Sequence, residues 1–126
     1  MKTLVVDDFA TMRKIVKNVL KQIDITDVTE AENGKQALEI LKGNQGFELI
    51  VSDWIMPEMT GIEFLKACKG DEAIKKIPFI MVTAEAQKDS VIEAIKGGVD
   101  NYIVKPFTPV KLQEAIQKAV AKAANQ

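Results

Sequence analysis

The chain has no histidine and a single cysteine, Cys68. Those two absences exclude a Cys/His metal centre, an intrachain disulfide and every mechanism that passes a proton through an imidazole. Cys68 lies in an apolar-periodic segment and reads as a small packing residue. Neither sign of charge is in excess: 17 Lys+Arg against 18 Asp+Glu leave a net charge of -1. A nucleic-acid surface and a solvating acidic tail are therefore not expected. No long apolar run is present either. The amino-terminal Leu4-Val5-Val6 stops at two aspartates, too short for a signal peptide or a membrane span, so a cytoplasmic location and no membrane partner are expected. No G-x-x-x-x-G-K-[ST] loop is available to hold a nucleotide. Repeats, low-complexity stretches and linkers are missing too, so the 126 residues are expected to form one domain spanning 1–126.

What the sequence does contain is a regular alternation of short apolar runs and amphipathic helical patterns. Thr3-Leu4-Val5-Val6 ends at Asp7-Asp8 and leads into a helix with Met12, Ile15, Val16, Val19, Leu20 and Ile23 on one face. A weaker strand at 27–31 passes through Asn33-Gly34 into a helix with Ala37, Leu38 and Leu41 inward, ending near Gly43. The stretch from Phe47 to Pro57 is the organising one: its near-continuous apolar run ends on the lone carboxylate of Asp53. Such a run reads as a strand buried on both faces, in the middle of a parallel sheet. Thr60-Gly61 opens a helix with Ile62, Leu65 and Cys68 on its stripe, ending near Gly70. Pro78 enters another apolar strand that runs to Thr83, followed by a helix over 88–96 bearing Val91, Ile92 and Ile95 and stopped by Gly97-Gly98. The last strand, 101–104, ends on Lys105-Pro106. Thr108 caps a closing helix with Pro109 at its first position and Leu112, Ile116, Ala119 and Val120 inward.

Strict alternation implies an α/β fold, a doubly wound five-stranded parallel sheet with right-handed crossovers and helices on both faces. The flavodoxin-like strand order 2-1-3-4-5 is one of the two common solutions, and the weak second strand suits an edge. In such a sheet the carboxyl ends of the strands share one edge. Asp7 and Asp8, Asp53, Thr83 and Lys105 are thereby expected to converge there. Three nearby carboxylates raise one another's pKa unless a cation sits among them, and an all-oxygen donor set with open positions suits Mg²⁺. A metal beside one carboxylate, with a lysine and a hydroxyl opposite, suits phosphoryl transfer onto that carboxylate, because aspartate can accept a phosphoryl group covalently.

The stretches Leu4-Val5-Val6-Asp7-Asp8-Phe9, Asp53-Trp54-Ile55-Met56-Pro57, Met81-Val82-Thr83-Ala84-Glu85-Ala86 and Val104-Lys105-Pro106-Phe107-Thr108 resemble, in order and at the ends of the expected strands, a receiver domain of two-component signalling. The resemblance covers essentially the whole chain. Phe9, Thr11-Met12-Arg13 and Trp54 make it most similar to the stand-alone chemotaxis members of that family. It implies that Asp53 takes phosphate from the phosphohistidine of a histidine kinase, with Mg²⁺ held by Asp8, Asp53 and the backbone carbonyl of Ile55, and Asp7 acting through a metal-bound water. Lys105 is implied to pair with the phosphoryl group, its bond to Pro106 to be cis, and Thr83 to move toward the phosphate while Tyr102 turns inward. The implied output surface is the fourth helix, fifth strand and fifth helix, with Ala86, Val91, Tyr102 and Val104 among the contacts. A monomeric, phosphorylation-activated switch acting on the flagellar motor is expected, with no effector module after the last helix and no enzymatic activity of its own.

One departure stands out. Chemotaxis members of the family carry Asn two residues after the acceptor, where this chain has Ile55. An apolar side chain there cannot orient an attacking water, so the lifetime of the acyl phosphate and the action of an auxiliary phosphatase are expected to differ. A single-domain receiver in a non-chemotactic phosphorelay is the alternative. An Asp-nucleophile phosphatase needs a second carboxylate two residues after the nucleophile, which Ile55 does not supply. A flavodoxin-like cofactor binder would meet repulsion between Asp7-Asp8 and a flavin phosphate.

Overall fold

The computed structural model describes residues 1–43, 46–54, 56, 58–83, 92–93, 95–105 and 107–124. Ile55, Ala86, Val91 and Pro106 lie outside the described residues. The elements are β1 (Thr3–Val6), α1 (Ala10–Gln22), β2 (Val28–Ala31), α2 (Gly34–Gly43), β3 (Leu49–Asp53), α3 (Gly61–Lys69), β4 (Phe79–Thr83), β5 (Asn101–Val104) and α4 (Pro109–Ala124). Between β4 and β5, Ile92, Glu93, Ile95 and Lys96 are helical, and the Gly97 amide donates to the Glu93 carbonyl at 2.9 Å as that turn ends.

All five strands pair in parallel in the order β2-β1-β3-β4-β5. β1, β3 and β4 have buried runs because helices cover both faces, whereas β2, at the edge, is only partly covered. Alternate residues of the central strands feed two separate cores. Leu4, Val6, Ile50, Phe79 and Met81 pack with Ala37 and Leu41 of α2 and with Phe64, Leu65 and Cys68 of α3. Val5, Leu49, Val51, Ile80, Val82 and Ile103 pack with Val16, Val19 and Leu20 of α1 and with Leu112, Ala115, Ile116 and Ala119 of α4. The period of two along each strand thus decides which pair of helices a residue meets. Each fully buried Leu, Ile or Phe contributes on the order of 1.5–3 kcal/mol.

Three helical stripes differ from expectation. Ile15 is exposed: at about 100° per residue it falls one step beyond the stripe of Met12, Val16, Val19, Leu20 and Ile23. In α3, Phe64 is fully buried alongside Leu65 and lies in a tilted contact on Phe79 with ring centroids 5.4 Å apart, while Ile62 is only partly covered. Ile92 and Ile95 are exposed as well.

Local chemistry sets the helix starts. Thr60 and Glu63 form a reciprocal capping box: the Thr60 hydroxyl accepts from the Glu63 amide at 3.3 Å and the Glu63 carboxylate accepts from the Thr60 amide at 3.1 Å. Asn33 Oδ1 accepts from the Gln36 amide at the start of α2. Phe9 occupies the corresponding position of α1 and offers no side-chain cap. No helix among the described residues is long and apolar enough to cross a membrane.

Candidate functional site

The ladder continues one residue past the strands and delivers polar side chains to the carboxyl edge. The Asp7 amide donates to the Ala31 carbonyl at 3.1 Å, Trp54 to Val82 at 2.9 Å and Lys105 to Thr83 at 2.7 Å. Asp7 and Asp8 therefore leave the end of β1, Asp53 ends β3, and Lys105 follows β5. Since β1 and β3 are direct neighbours, with Val6 opposite Ser52, their terminal carboxylates meet.

One carboxylate oxygen from each of Asp7, Asp8 and Asp53 lies within 4.8 Å of the others. Lys105 spans the group from β5: its ammonium donates to Asp53 Oδ1 at 3.2 Å and stands 3.6 Å from Asp7 Oδ2. Asp53 Oδ1 also accepts from the Trp54 amide at 2.9 Å, and Asp7 Oδ1 from the Phe9 amide at 2.9 Å. Asp7 is buried, Asp53 half-buried and Asp8 exposed.

The electrostatics are unfavourable without a further cation. Burial pushes the Asp53 carboxyl above its ordinary range; the charge and hydrogen bond of Lys105 and the Trp54 amide oppose this, while Asp8 adds to it. Burial also raises Asp7, opposed by the Phe9 amide and reinforced by the negative charge of Asp53. Asp7 and Asp53 thus share one ammonium, with the third carboxylate, Asp8, close by. The donor set is entirely hard oxygen with Asp8 open to solvent, which fits a small divalent cation better than a soft metal.

The expected site residues divide into four groups. Asp7, Asp8, Asp53 and Lys105 are brought together. Thr83 ends β4 at the same edge, buried, beside Val82, the residue opposite Asp53. Tyr102, exposed, and Val104, partly buried, lie two apart on the edge strand β5, facing the same side by strand alternation. Ile55, Ala86 and Val91 are outside the described residues.

Sequence reasoning did not single out Gly61, although the site depends on it. Its amide donates to the Trp54 carbonyl at 2.8 Å, and a Cβ there would run into the Asp53 carbonyl oxygen and lie 2.8 Å from Trp54 Cα. Only glycine lets α3 start this close to the end of β3. The visible signal was a glycine at the first helical position, where glycine is otherwise a poor choice.

A five-stranded parallel sheet carrying an acidic cluster and a lysine at one edge defines a class, and sequence comparison agrees with it. The family described as response regulator receiver domain matches residues 3–117, and the chain belongs to that family. Within it the chain is CheY-like. It is 50% identical over 118 residues to the chemotaxis protein CheY of Pseudomonas aeruginosa, covering 94% of each chain. It is 50% identical over 117 residues to the chemotaxis protein CheY1 of Helicobacter pylori, covering 93% of this chain and 94% of that one. Among solved structures it superposes on chemotaxis protein CheY4 of Vibrio cholerae with a TM-score of 0.85 at 34% identity, over 94% of this chain and 97% of the other. A receiver domain protein from Clostridium thermocellum gives 0.86 at 29% identity, over 98% and 97%. The chain is accordingly a phosphorylation-activated switch of two-component signalling, of the CheY type.

Proposed function

We propose that Asp53 is the phosphoryl acceptor, that Asp7 and Asp8 complete with it a Mg²⁺ site, and that the phosphorylated protein controls flagellar rotation by binding the motor switch in the cytoplasm. The observation that carries this reading is the placement of Asp53 between the Asp7-Asp8 pair and the Lys105 ammonium, 3.2 Å from Asp53 Oδ1.

In the forward step an Asp53 oxygen forms a P–O bond as the P–N bond of a kinase phosphohistidine breaks, and the imidazole leaves. A bound Mg²⁺ supplies charge neutralisation and orientation of the incoming phosphoryl oxygens. The protein's own groups do the rest. The Trp54 amide and Lys105 hold one carboxylate oxygen and fix the rotamer, leaving Oδ2 as the attacking atom. Lys105 can transfer its interaction from Asp53 to the charge arriving on the phosphoryl group, so its contact is strongest when the group is in place. Thr83 supplies a hydroxyl at the same edge, and its movement toward the phosphate is read out by Tyr102, with Val104 and also Ala86 and Val91 on the motor-binding face. CheY-type relatives named for chemotaxis support the motor switch as partner and a chemotaxis histidine kinase as donor. Ile55 is proposed to contribute its backbone carbonyl to the metal, and its side chain to alter hydrolysis of the acyl phosphate and the action of any phosphatase.

Trp54 follows the acceptor and packs partly buried against the α2/α3 core, so its fluorescence reports on the site. Titration with Mg²⁺ and then beryllofluoride should give two successive changes, the second absent in Asp53→Asn. A second change of equal size in Asp53→Asn would refute the acceptor assignment. Beryllofluoride-dependent capture of the protein by a motor-switch peptide tests the partner. Equal capture with and without beryllofluoride would remove the chemotactic reading and leave a generic phosphorelay.

A further inference from the structure

Arg13 has a position that neither the helix pattern nor the site chemistry above accounts for. It lies on α1 with its side chain nearly buried. Its Nη1 donates to the backbone carbonyl of Asp7 at 2.6 Å, and its Nε donates to Glu30 Oε1 at 3.1 Å. Glu30 belongs to β2, opposite Val5 in the register with β1, and its other oxygen accepts from Lys17 at 3.3 Å. One planar guanidinium thus joins three elements: the turn after β1, the helix that follows it and the neighbouring edge strand.

The turn it grips is the one that carries the two carboxylates of the site. Asp7 is held at four points: its amide donates to Ala31, its carbonyl accepts from Arg13, Oδ1 accepts from Phe9, and Oδ2 faces Lys105. Two of these come from β2 and from the turn itself, and the Lys105 contact reaches in from the end of β5. The Arg13 guanidinium ties Asp7 itself to the body of α1, whose start has no side-chain cap and no acidic residue in its first turn and is otherwise joined to the turn by the Arg13 amide on the Phe9 carbonyl at 3.0 Å. Placing a positive charge this near a cation site carries an electrostatic cost. Glu30 reduces it: partial burial would raise its carboxyl, but the bonds to Lys17 and Arg13 outweigh that and hold it below the ordinary range, so it stays ionised opposite Arg13.

We propose that Arg13, anchored by Glu30, is a positioning residue that fixes the Asp7–Asp8 turn in the geometry that binds the divalent cation. The inference rests on the cation site proposed above. It fixes a sign that separates positioning from simple charge. If Arg13 acted only through its charge, its removal would strengthen Mg²⁺ binding by relieving repulsion. If it served only folding, its removal would lower stability and leave Mg²⁺ affinity unchanged. A positioning role predicts weaker binding when the guanidinium is lost.

The test is a Mg²⁺ titration by Trp54 fluorescence of the parent, Arg13→Met and Arg13→Lys, with thermal unfolding measured without metal on the same samples. Arg13→Met keeps the aliphatic stem and should bind Mg²⁺ about tenfold more weakly. Arg13→Lys keeps the charge but cannot reach the Asp7 carbonyl and Glu30 with a planar fork, and should fall between the two. If Arg13→Met does not fold, Arg13→Lys decides alone, with the loss expected to be at least threefold. Affinity equal to or tighter than the parent in the folded variants would overturn the proposal while leaving the cation site intact. A parent that shows no response to Mg²⁺ by fluorescence or calorimetry would instead overturn the site on which the proposal rests.

Discussion

The ammonium of Lys105 lies 3.2 Å from Asp53 Oδ1 although 52 residues separate the two in the chain. The contact crosses β4, which stands between β3 and β5, and it is reachable only because both residues lie at the carboxyl edge. Asp53 and Asp7 share this one cation. Lys105→Met should therefore leave the carboxylates without their fixed counter-charge and the arriving phosphoryl group without a partner. Phosphorylation of Asp53 by acetyl phosphate should slow by on the order of 10²-fold, the usual cost of losing one fixed charge-stabilising donor. The rate, followed by Trp54 fluorescence at saturating Mg²⁺, is the measurement. A rate within twofold of the parent would show that Lys105 has no part in the transfer.

Stability should depend on pH through the same carboxylates. In the absence of metal, burial raises both Asp7 and Asp53 above the ordinary value of 3.8. The folded protein then holds these protons more tightly than the unfolded chain does. Their contribution to stability is fully present below pH 3.8 and is lost as pH rises through the raised values. At neutral pH each ionised group therefore destabilises the metal-free fold. Asp53→Asn should raise the metal-free Tm at pH 7 by about 2–6 °C, the shift that ~1 kcal/mol produces in a domain of this size. The difference from the parent should shrink as pH is lowered toward 4, and millimolar Mg²⁺ should stabilise the parent more than the variant. An unchanged or lower Tm for Asp53→Asn at pH 7 would contradict the upward shift.

Gly61 should tolerate no side chain. Its Cβ would meet the Asp53 carbonyl and the Trp54 backbone, and backbone atoms cannot swing aside as a flexible side chain could. Either α3 retreats or the end of β3 bends, and both displace Asp53. Gly61→Ala is expected to cost about 1–3 kcal/mol by urea denaturation, as overpacking generally does, and to weaken Mg²⁺ binding. Ala is the better helix former by about 1 kcal/mol, so propensity alone would predict the opposite sign. A stabilised Gly61→Ala would mean that the close approach is not a constraint.

The sheet and the site were legible in the sequence for the same reason. Apolar runs that stop abruptly on Asp7, Asp53, Thr83 and Lys105 mark strand ends, and parallel pairing puts all such ends on one edge. Periodicity was a weaker guide to helix faces. Ile15 looks inward in the sequence because a β-branched apolar residue sits one step from the stripe, yet burial follows angle and not residue type. Phe64 is hidden in the pattern because its neighbours Ile62 and Leu65 already satisfy a helical repeat. Residues that act by contact across the chain left no local signature. Arg13 reads as an ordinary surface cation until Asp7 and Glu30 are seen on either side of it. Gly61 reads as a helix start, and its requirement comes from the backbone of Asp53 and Trp54.

The opposite edge of the sheet carries a polar constraint that no sequence pattern marked. Asp100 precedes β5 and is buried; its Oδ2 accepts from the Phe79 amide at 2.7 Å and from Lys69 Nζ at 3.0 Å. Lys69 also donates to the Lys75 carbonyl at 3.2 Å, so the carboxylate ties the entry of β4 to the end of α3 and the loop that follows it. Its Oδ1 is buried with no partner among the described residues. The desolvation cost of the group must therefore be offset through Oδ2 and through the backbone bond from the Asp100 amide to the Phe79 carbonyl at 3.0 Å. Asp100→Ala would leave the Phe79 amide and the partly buried ammonium of Lys69 without this acceptor. Breaking a buried pair from one side costs about 3–5 kcal/mol, and a loss of that size in urea denaturation is expected. Asp100→Asn, which keeps an acceptor oxygen for both donors, should lose less than half as much. Mg²⁺ binding at the far edge should be unchanged in Asp100→Asn, because no residue of the acidic cluster touches Asp100. An Asp100→Ala protein less than 1 kcal/mol below the parent would show that Lys69 and Phe79 find other partners and that the carboxylate does not hold this edge together.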